Sequence, residues 1–78
     1  MKELLYAIVA GLVEDPSAIE IIQDEPDEEG VVVFHLHVAE SDMGRVIGRQ
    51  GRIAKALRTI MRSGASRHGM HSVAVEIG

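Results

Sequence analysis

Two glycines and a cluster of hydrogen-bond donors lie together in residues 46–52, VIGRQGR. Because glycine has no Cβ, a phosphodiester backbone can approach the chain closely at Gly48 and Gly51. The residues that follow favour a helix, whose N-terminal N–H groups and dipole attract anions. Arg49, Gln50 and Arg52 add side-chain donors at the same point. These residue types at this spacing predict a site that binds phosphate groups.

The surrounding segment, residues 42–58 (DMGRVIGRQGRIAKALR), resembles the GxxG region of the KH domain along almost its whole length. The small size of the chain and the order of its elements resemble the bacterial stand-alone single-KH proteins of the KhpA type. This resemblance implies a type II KH fold and a cytoplasmic protein that binds single-stranded RNA, as an RNA chaperone or post-transcriptional regulator. A GxxG sequence alone is a weak signal, and its structural alternative is a plain connection between two helices.

The resemblance also implies roles for individual residues. About four unpaired nucleotides are expected between the GxxG loop and the last strand, with the RNA backbone held by the amides of residues 49–51. Ile47 and Ile53 belong either to the cleft or only to the core, and residues 71–73 are expected to meet base edges. The full set of expected RNA-binding residues is Gly44, Arg45, Ile47, Gly48, Arg49, Gln50, Gly51, Arg52, Ile53, Lys55, Arg58 and His71.

Hydrophobic periodicity predicts the elements that position this loop. Residues 4–13 have a helical apolar face that ends before Pro16, and residues 18–22 contain three isoleucines, as is typical of a strand. After an acidic connection at residues 24–30, residues 31–39 alternate, with Phe34 in the inward-facing set. Ser41 and Asp42 offer an N-cap for a helix that ends near Ile47. A second helix follows the GxxG loop, residues 63–69 are expected to form a flexible connection, and residues 72–77 form the last strand.

This order predicts an α+β fold, a type II KH domain with the order α-β-β-α-α-β. The first two strands should form an antiparallel hairpin, and the third should join them after the helical crossover. The result is a three-stranded mixed sheet covered on one face by three helices. A chain of 78 residues has room for one small core, so residues 1–78 are expected to form a single domain.

Charge is divided unevenly along the chain, although its net value is −4. Residues 1–43 contain eleven of the twelve acidic residues, whereas residues 44–78 contain seven of the eight basic residues. The basic side of the helix after the loop consists of Arg52, Lys55, Thr59 and Arg62, with Arg58 at its edge, and the opposite side of Ile53, Ala54, Leu57, Ile60 and Met61. An ordinary solvated face is the alternative, but such faces normally mix both signs. One surface is therefore predicted to bind a polyanion.

Other function classes find little support. The chain has no cysteine, which excludes disulfides and thiolate metal sites. Its four histidines, among them the pair His35 and His37, have no carboxylate spaced to complete a metal site, so no metal is expected. No nucleotide-binding glycine motif or activated nucleophile occurs, so neither an enzyme nor a cofactor is expected. The apolar run near the N-terminus is too short to span a bilayer and lacks a cleavage site, so no membrane association or export is expected.

The low aromatic content bears on affinity and partnership. Tyr6 and Phe34 are the only aromatic residues, so stacking on bases contributes little. Weak binding by one site predicts a homodimer or a heterodimer with a larger KH-containing RNA-binding protein, as the resemblance also implies. The alternative function is a protein-interaction module with a KH fold that chiefly dimerises. It would use the outer sheet face with Val33, His35 and His37, or the GxxG side.

Overall fold

The computed structural model describes residues 1–67 and 72–78. Its helices are α1 (Lys2–Ala10), α2 (Met43–Ile47) and α3 (Arg52–Arg67), and its strands are β1 (Glu20–Gln23), β2 (Val31–His37) and β3 (Ser72–Ile77). Short 3-10 turns occupy Pro16–Ala18, Glu40–Asp42 and Arg49–Gly51. The predicted order α-β-β-α-α-β is confirmed. None of the helices in these described ranges has the length and hydrophobicity of a membrane span.

The three strands form one mixed sheet with β2 in the centre. β1 pairs antiparallel with β2, so that Glu20 lies opposite His37 and Gln23 opposite Phe34. β3 pairs parallel with β2, in a register that places Phe34 beside Val75. The predicted hairpin and crossover are therefore confirmed, and β1 and β3 are the edge strands.

The core lies on one face of this sheet. Alternation along β2 buries Val32, Phe34 and Leu36, because successive side chains of a strand point to opposite faces. The other strands and all three helices complete the buried cluster with Leu5, Val9, Ile21, Val46, Leu57, Met61, Ala65, Val73 and Val75. The predicted cover of one sheet face by three helices is thus confirmed, and burial of these side chains is the main source of stability.

Several element boundaries differ from the sequence prediction. α1 ends at Ala10 and not at Val13, because the chain turns at Gly11, whose amide donates to the Ile8 carbonyl at 3.2 Å. The strand expected from Ala18 begins only at Glu20, since Pro16 starts a 3-10 turn. β2 ends at His37, two residues before the expected end.

The prediction of a flexible connection from residue 63 is wrong, because residues 63–67 continue α3. Ala65 is buried and follows Leu57 and Met61 at i+4 spacing, so this last turn extends the core face of the helix. The remainder of the expected connection, residues 68–69, lies outside the described residues.

Gly64 explains why small residues occur in a packed helix. A Cβ built on Gly64 would lie 3.0 Å from Leu4 Cδ2 and 3.2 Å from Met1 Cε. The missing side chain therefore lets α3 pass close to the start of α1. The small residues of this segment allow the two helices to pack closely. In the sequence prediction the same residues indicate a flexible connection.

Candidate nucleic-acid interface

The GxxG loop, residues 48–51, is a tight turn between α2 and α3. Gly48 ends α2 with φ 74° and ψ 174°, and Gly51 precedes α3 with φ 72°. Between them, Gln50 has the left-handed values φ 59° and ψ 25°, which is uncommon for a residue with a side chain. Three positive φ angles in four residues make the turn narrow enough to connect two helices directly.

The two glycines of the loop are required for different reasons. A Cβ on Gly48 would lie 2.7 Å from Ile53 Cγ1 and 2.9 Å from Ile53 Cβ, so the loop packs directly on the first turn of α3. A Cβ on Gly51 would meet no other atom within 4 Å. Gly44, one turn before the loop, also faces open space. Close packing fixes Gly48, whereas the surfaces at Gly44 and Gly51 are open to a ligand.

Among the described residues, two loop amides have no hydrogen-bond acceptor and are candidate donors to phosphate. The amide of Gly51, expected from the sequence to bind RNA, donates instead to the Gly48 carbonyl at 3.2 Å. The Arg52 amide donates to the Arg49 carbonyl. The amides of Arg49 and Gln50 remain as the candidate donors at this turn.

Basic side chains surround the loop on its exposed side. Arg49, Arg52 and Lys55 are all exposed. Within residues 1–67 and 72–78, the ion pairs of the chain involve none of these three. In this part of the chain, therefore, no carboxylate neutralises these three side chains, as the charge distribution predicts. Ile60, which the sequence placed on the apolar side, is 42% exposed.

Arg45 is not a free cation. Its Nη2 donates to Glu14 Oε1 at 2.7 Å, and its Nε lies 3.2 Å from Asp42 Oδ1. Both carboxylates come from the acidic part of the chain. Arg45 thus connects the beginning of α2 to the segment after α1.

Asp42 is 1% exposed and lies at the centre of these contacts. Its carboxylate accepts the amides of Glu14 and Asp15, each at 3.1 Å. The Glu14 amide is the largest cause of the lowered pKa of Asp42; burial opposes it, and the Asp15 amide and the charge of Arg45 add to it. Asp42 is the N-cap residue of α2, as the sequence predicts, but its side chain makes no cap hydrogen bond.

Three other expected site residues differ in their surroundings. Arg58 is partly buried, and its Nε donates to the Val75 carbonyl of β3 at 3.3 Å. Ile47 is 37% exposed, beside the loop. Ile53 packs against the core and against Gly48. The sequence left open whether these two isoleucines line the cleft or only the core. In the structure Ile47 lies at the surface, whereas Ile53 mainly supports the loop.

His35 and His37 make contacts on the outer face of the sheet. His35 Nε2 lies 2.7 Å from Asp24 Oδ2, and its Nδ1 lies 3.2 Å from Glu76 Oε2. His37 Nδ1 lies 2.7 Å from the Gly78 carbonyl. Residues 1–67 and 72–78 contain no group of three or more potential metal ligands. His71, expected near base edges, lies outside the described residues.

A groove of about 550 Å³ lies away from the loop, between α1 and β1. It is lined by Lys2, Glu3, Tyr6, Ile19, Glu20 and Ile21. Tyr6 is 47% exposed there, and β1 is an edge strand whose backbone has one unpaired side. This groove is a second candidate surface for a macromolecular partner.

Sequence reasoning missed Glu14 and Asp15 as neighbours of the candidate site. They lie 28 and 27 residues from Asp42 along the chain, and no local pattern relates positions so far apart. The weak signal was Asp42 itself, an acidic residue directly before the basic half of the chain.

Comparisons of sequence match this chain to a family of KH domains. A sequence model of the family described as "KhpA/KhpB, KH domain" matches residues 2–77. The RNA-binding protein KhpA of Oceanobacillus iheyensis is 51% identical over 61 residues, which cover 78% of this chain and 79% of the relative. The RNA-binding protein KhpA of Clostridium acetobutylicum is 43% identical over 77 residues, which cover 99% of both chains.

Solved structures support the fold. Aquifex aeolicus Era, crystallised with GDP and aluminium fluoride, superposes with a TM-score of 0.67 at 19% identity. An Era structure with MgGDPNP and nucleotides 1506–1542 of 16S ribosomal RNA gives a TM-score of 0.66 at 19% identity. In each case the match covers 97% of this chain but only 28% of the Era chain.

Proposed function

Since the chain belongs to the KhpA/KhpB family of KH domains, we propose that it binds single-stranded RNA through the GxxG loop and the adjoining surface of α2 and α3. In this proposal residues 1–78 form one KH domain that acts in the cytoplasm as an RNA chaperone or post-transcriptional regulator. Relatives that cover nearly the whole chain carry the name RNA-binding protein, and they are not named as enzymes. No catalytic step is assigned to this chain.

The observation that carries the proposal is the positive charge at the N-terminus of α3. Arg52 lies in the first turn of α3, and that turn contains no acidic residue. A cation at this end opposes the helix dipole and lowers helix stability locally. A phosphate bound there would interact favourably with Arg49, with Arg52 and with the helix terminus. An unfavourable arrangement such as this cation at a helix N-terminus is expected at sites where function requires it.

The backbone of the loop is a second support. The left-handed conformation of Gln50 costs about 1–3 kcal/mol, and residues strained in this way concentrate at binding sites. The amides of Arg49 and Gln50 are the donors proposed to hold one phosphate. Gly51 leaves the surface open, so a nucleotide can approach the turn.

We propose that the bound RNA strand runs from the GxxG loop along α3 towards the edge of β3. Lys55 follows Arg52 by three residues on the exposed side of α3 and extends the phosphate contacts. Ile47 offers an apolar surface to a base, and Arg58 lies where α3 meets β3. Base-edge contacts near residue 71 stay a prediction from the resemblance.

The test replaces Arg49 and Gln50 together by Asp and measures binding to a short single-stranded RNA by fluorescence anisotropy. We expect affinity to fall at least about tenfold, because two carboxylates then occupy the phosphate position. Both residues are exposed, and aspartate tolerates a left-handed backbone, so stability should change by only about 0.5 kcal/mol per site.

The matched control is the double variant Lys2→Asp/Gln23→Asp. It changes the net charge by the same amount at two exposed positions, on α1 and β1, away from the loop. RNA affinity should change much less in this control than in the loop variant. Equal losses in the two variants would show that binding does not depend specifically on the GxxG loop.

The groove between α1 and β1 favours a second candidate function, a protein-interaction module with little RNA binding of its own. The exposed Tyr6 and the open edge of β1 suit a protein partner. In that case the wild-type chain would have little RNA affinity of its own. A partner does not distinguish the two functions, because the RNA proposal also includes one, as a homodimer or a heterodimer with a larger KH-containing protein. Measured RNA affinity of the isolated wild type decides between the two.

A further inference from the structure

The contact between Glu14 and Arg45 lies directly beside the proposed RNA site. Arg45 is in α2, one helical turn before Gly48, whose amide donates to the Gly44 carbonyl at 2.9 Å. The carboxylate that meets Arg45 belongs to the acidic part of the chain. A cation next to the phosphate site is therefore occupied by an anion of the protein itself.

The two carboxylates that hold Arg45 differ in exposure. The side chain of Asp42 is 2% exposed, and its oxygens also accept the amides of Glu14 and Asp15. The Glu14 side chain is 76% exposed and its carboxylate contacts only Arg45 within the described residues, whereas the Arg45 side chain is 50% exposed. Asp42 is thus a fixed anchor for Nε, and Glu14 is an exchangeable ligand for Nη2.

An exchangeable pair of this kind is weak. Exposed ion pairs gain little because water screens the attraction and two long side chains lose freedom. An RNA phosphate, like the Glu14 carboxylate, is an anion whose oxygens accept hydrogen bonds from a guanidinium. A phosphate at this position would also contact the loop. It can therefore replace the carboxylate on Nη2 while Asp42 keeps the guanidinium in place.

We propose that Glu14 is an affinity-determining residue that masks a second phosphate-binding position, at Arg45, until RNA displaces it. This inference rests on the proposed RNA-binding function. It assigns an inhibitory role to a residue outside the basic half of the chain, and it makes Arg45 the phosphate contact next to the GxxG loop.

The test compares Glu14→Gln with Glu29→Gln, which removes the same charge at the opposite end of the sheet. Residues 24–30 connect the last residues of β1 to the start of β2, whereas Glu14 precedes the start of β1. With a short single-stranded RNA, Glu14→Gln should raise affinity roughly two- to fivefold above the Glu29→Gln control. In the Arg45→Ala background, Glu14→Gln should give no gain in RNA affinity over Arg45→Ala alone.

Salt dependence supplies a second readout that a purely structural role would not change. In the wild type, the Arg45–phosphate contact releases a counterion from RNA but frees Glu14 to attract a cation. In Glu14→Gln only the release remains, so the log–log slope of affinity against salt should become steeper, by at most about 0.7.

Each outcome bears on a separate claim. A wild-type chain that binds RNA, with no difference between Glu14→Gln and Glu29→Gln, overturns this inference and leaves the proposed function in place. A gain that persists in the Arg45→Ala background also overturns it. A wild-type chain that does not bind the RNA overturns the inference together with the proposed function.

Discussion

Gly48 and Gly51 have the same residue type and similar φ angles, but their surroundings make different demands on them. Gly48 combines a positive φ with a ψ near 180°, a region that almost only glycine adopts. A Cβ on Gly48 would also overlap the side chain of Ile53. Gly51 needs only its positive φ, because open space surrounds it. The sequence shows the two glycines of the loop but does not show this difference.

We therefore expect Gly48→Ala and Gly51→Ala to differ in stability. Gly48→Ala should lower the free energy of unfolding by about 3 kcal/mol, since it adds a clash with Ile53 to backbone strain. Gly51→Ala should cost about 1 kcal/mol, because strain alone acts there. Urea denaturation of both variants provides the measurement, and equal losses would contradict the packing of the loop on α3.

At the scale of elements, a histidine connects the three strands on the outer face of the sheet. His35 lies on β2 between Asp24, directly after β1, and Glu76 of β3. The hydrogen bond with Asp24 raises the pKa of His35 most, with partial burial opposing it and the charges of Asp24 and Glu76 adding to it. The protonated imidazole therefore holds the strands together better than the neutral one.

This raised pKa predicts a dependence of stability on pH. The contribution of His35 is complete below the unfolded value of about 6.5 and is lost as pH rises through the higher folded value. The melting temperature of the wild type should therefore fall between about pH 6 and about pH 8 by more than that of His35→Gln. The effect should be modest, because all three side chains are partly exposed. Parallel melting curves for wild type and variant would contradict this assignment.

The elements also show what the sequence could and could not predict. Alternation in residues 31–37 and apolar spacing in α3 are strong periodic signals, so the strand, the helix and the topology were predicted correctly. The segment at 63–67 was misread because Gly64 and its small neighbours resemble a linker, and only the close passage of α1 explains them. The contact of Asp42 with the amides of Glu14 and Asp15 depends on folding, so local propensity cannot predict it.

At the scale of the whole molecule, contacts divide the basic residues into two groups. Arg45 is paired with carboxylates, and Arg58 donates to a backbone carbonyl. Arg49, Arg52 and Lys55 are exposed and belong to none of the ion pairs in the described ranges. The acidic half of the chain carries the opposite sign, so the local potential at the loop, and not the net charge, should direct RNA.

These three exposed cations predict the salt dependence of binding. Each cation that neutralises a phosphate of a single strand contributes about −0.7 to the log–log slope, so the wild type should show a slope of about −2. A titration at several salt concentrations measures it. A slope near zero would rule out phosphate contacts as the main source of affinity.

A duplex of the same sequence should bind more weakly, because a KH cleft accepts unpaired bases.

The size of the site leads to a prediction about assembly. If the proposed cleft holds about four nucleotides, it should bind RNA weakly, with a Kd of about a micromolar or higher, because none of its expected contact residues is Phe, Tyr or Trp. A second RNA-binding subunit makes the next contact intramolecular and can raise affinity roughly 10²–10⁴-fold without new chemistry. We therefore expect a homodimer or a heterodimer with another RNA-binding protein as the working form. Sedimentation of the purified chain, with and without a tandem oligonucleotide long enough for two clefts, tests this. A strict monomer that binds a four-nucleotide RNA with nanomolar Kd would show that one domain suffices.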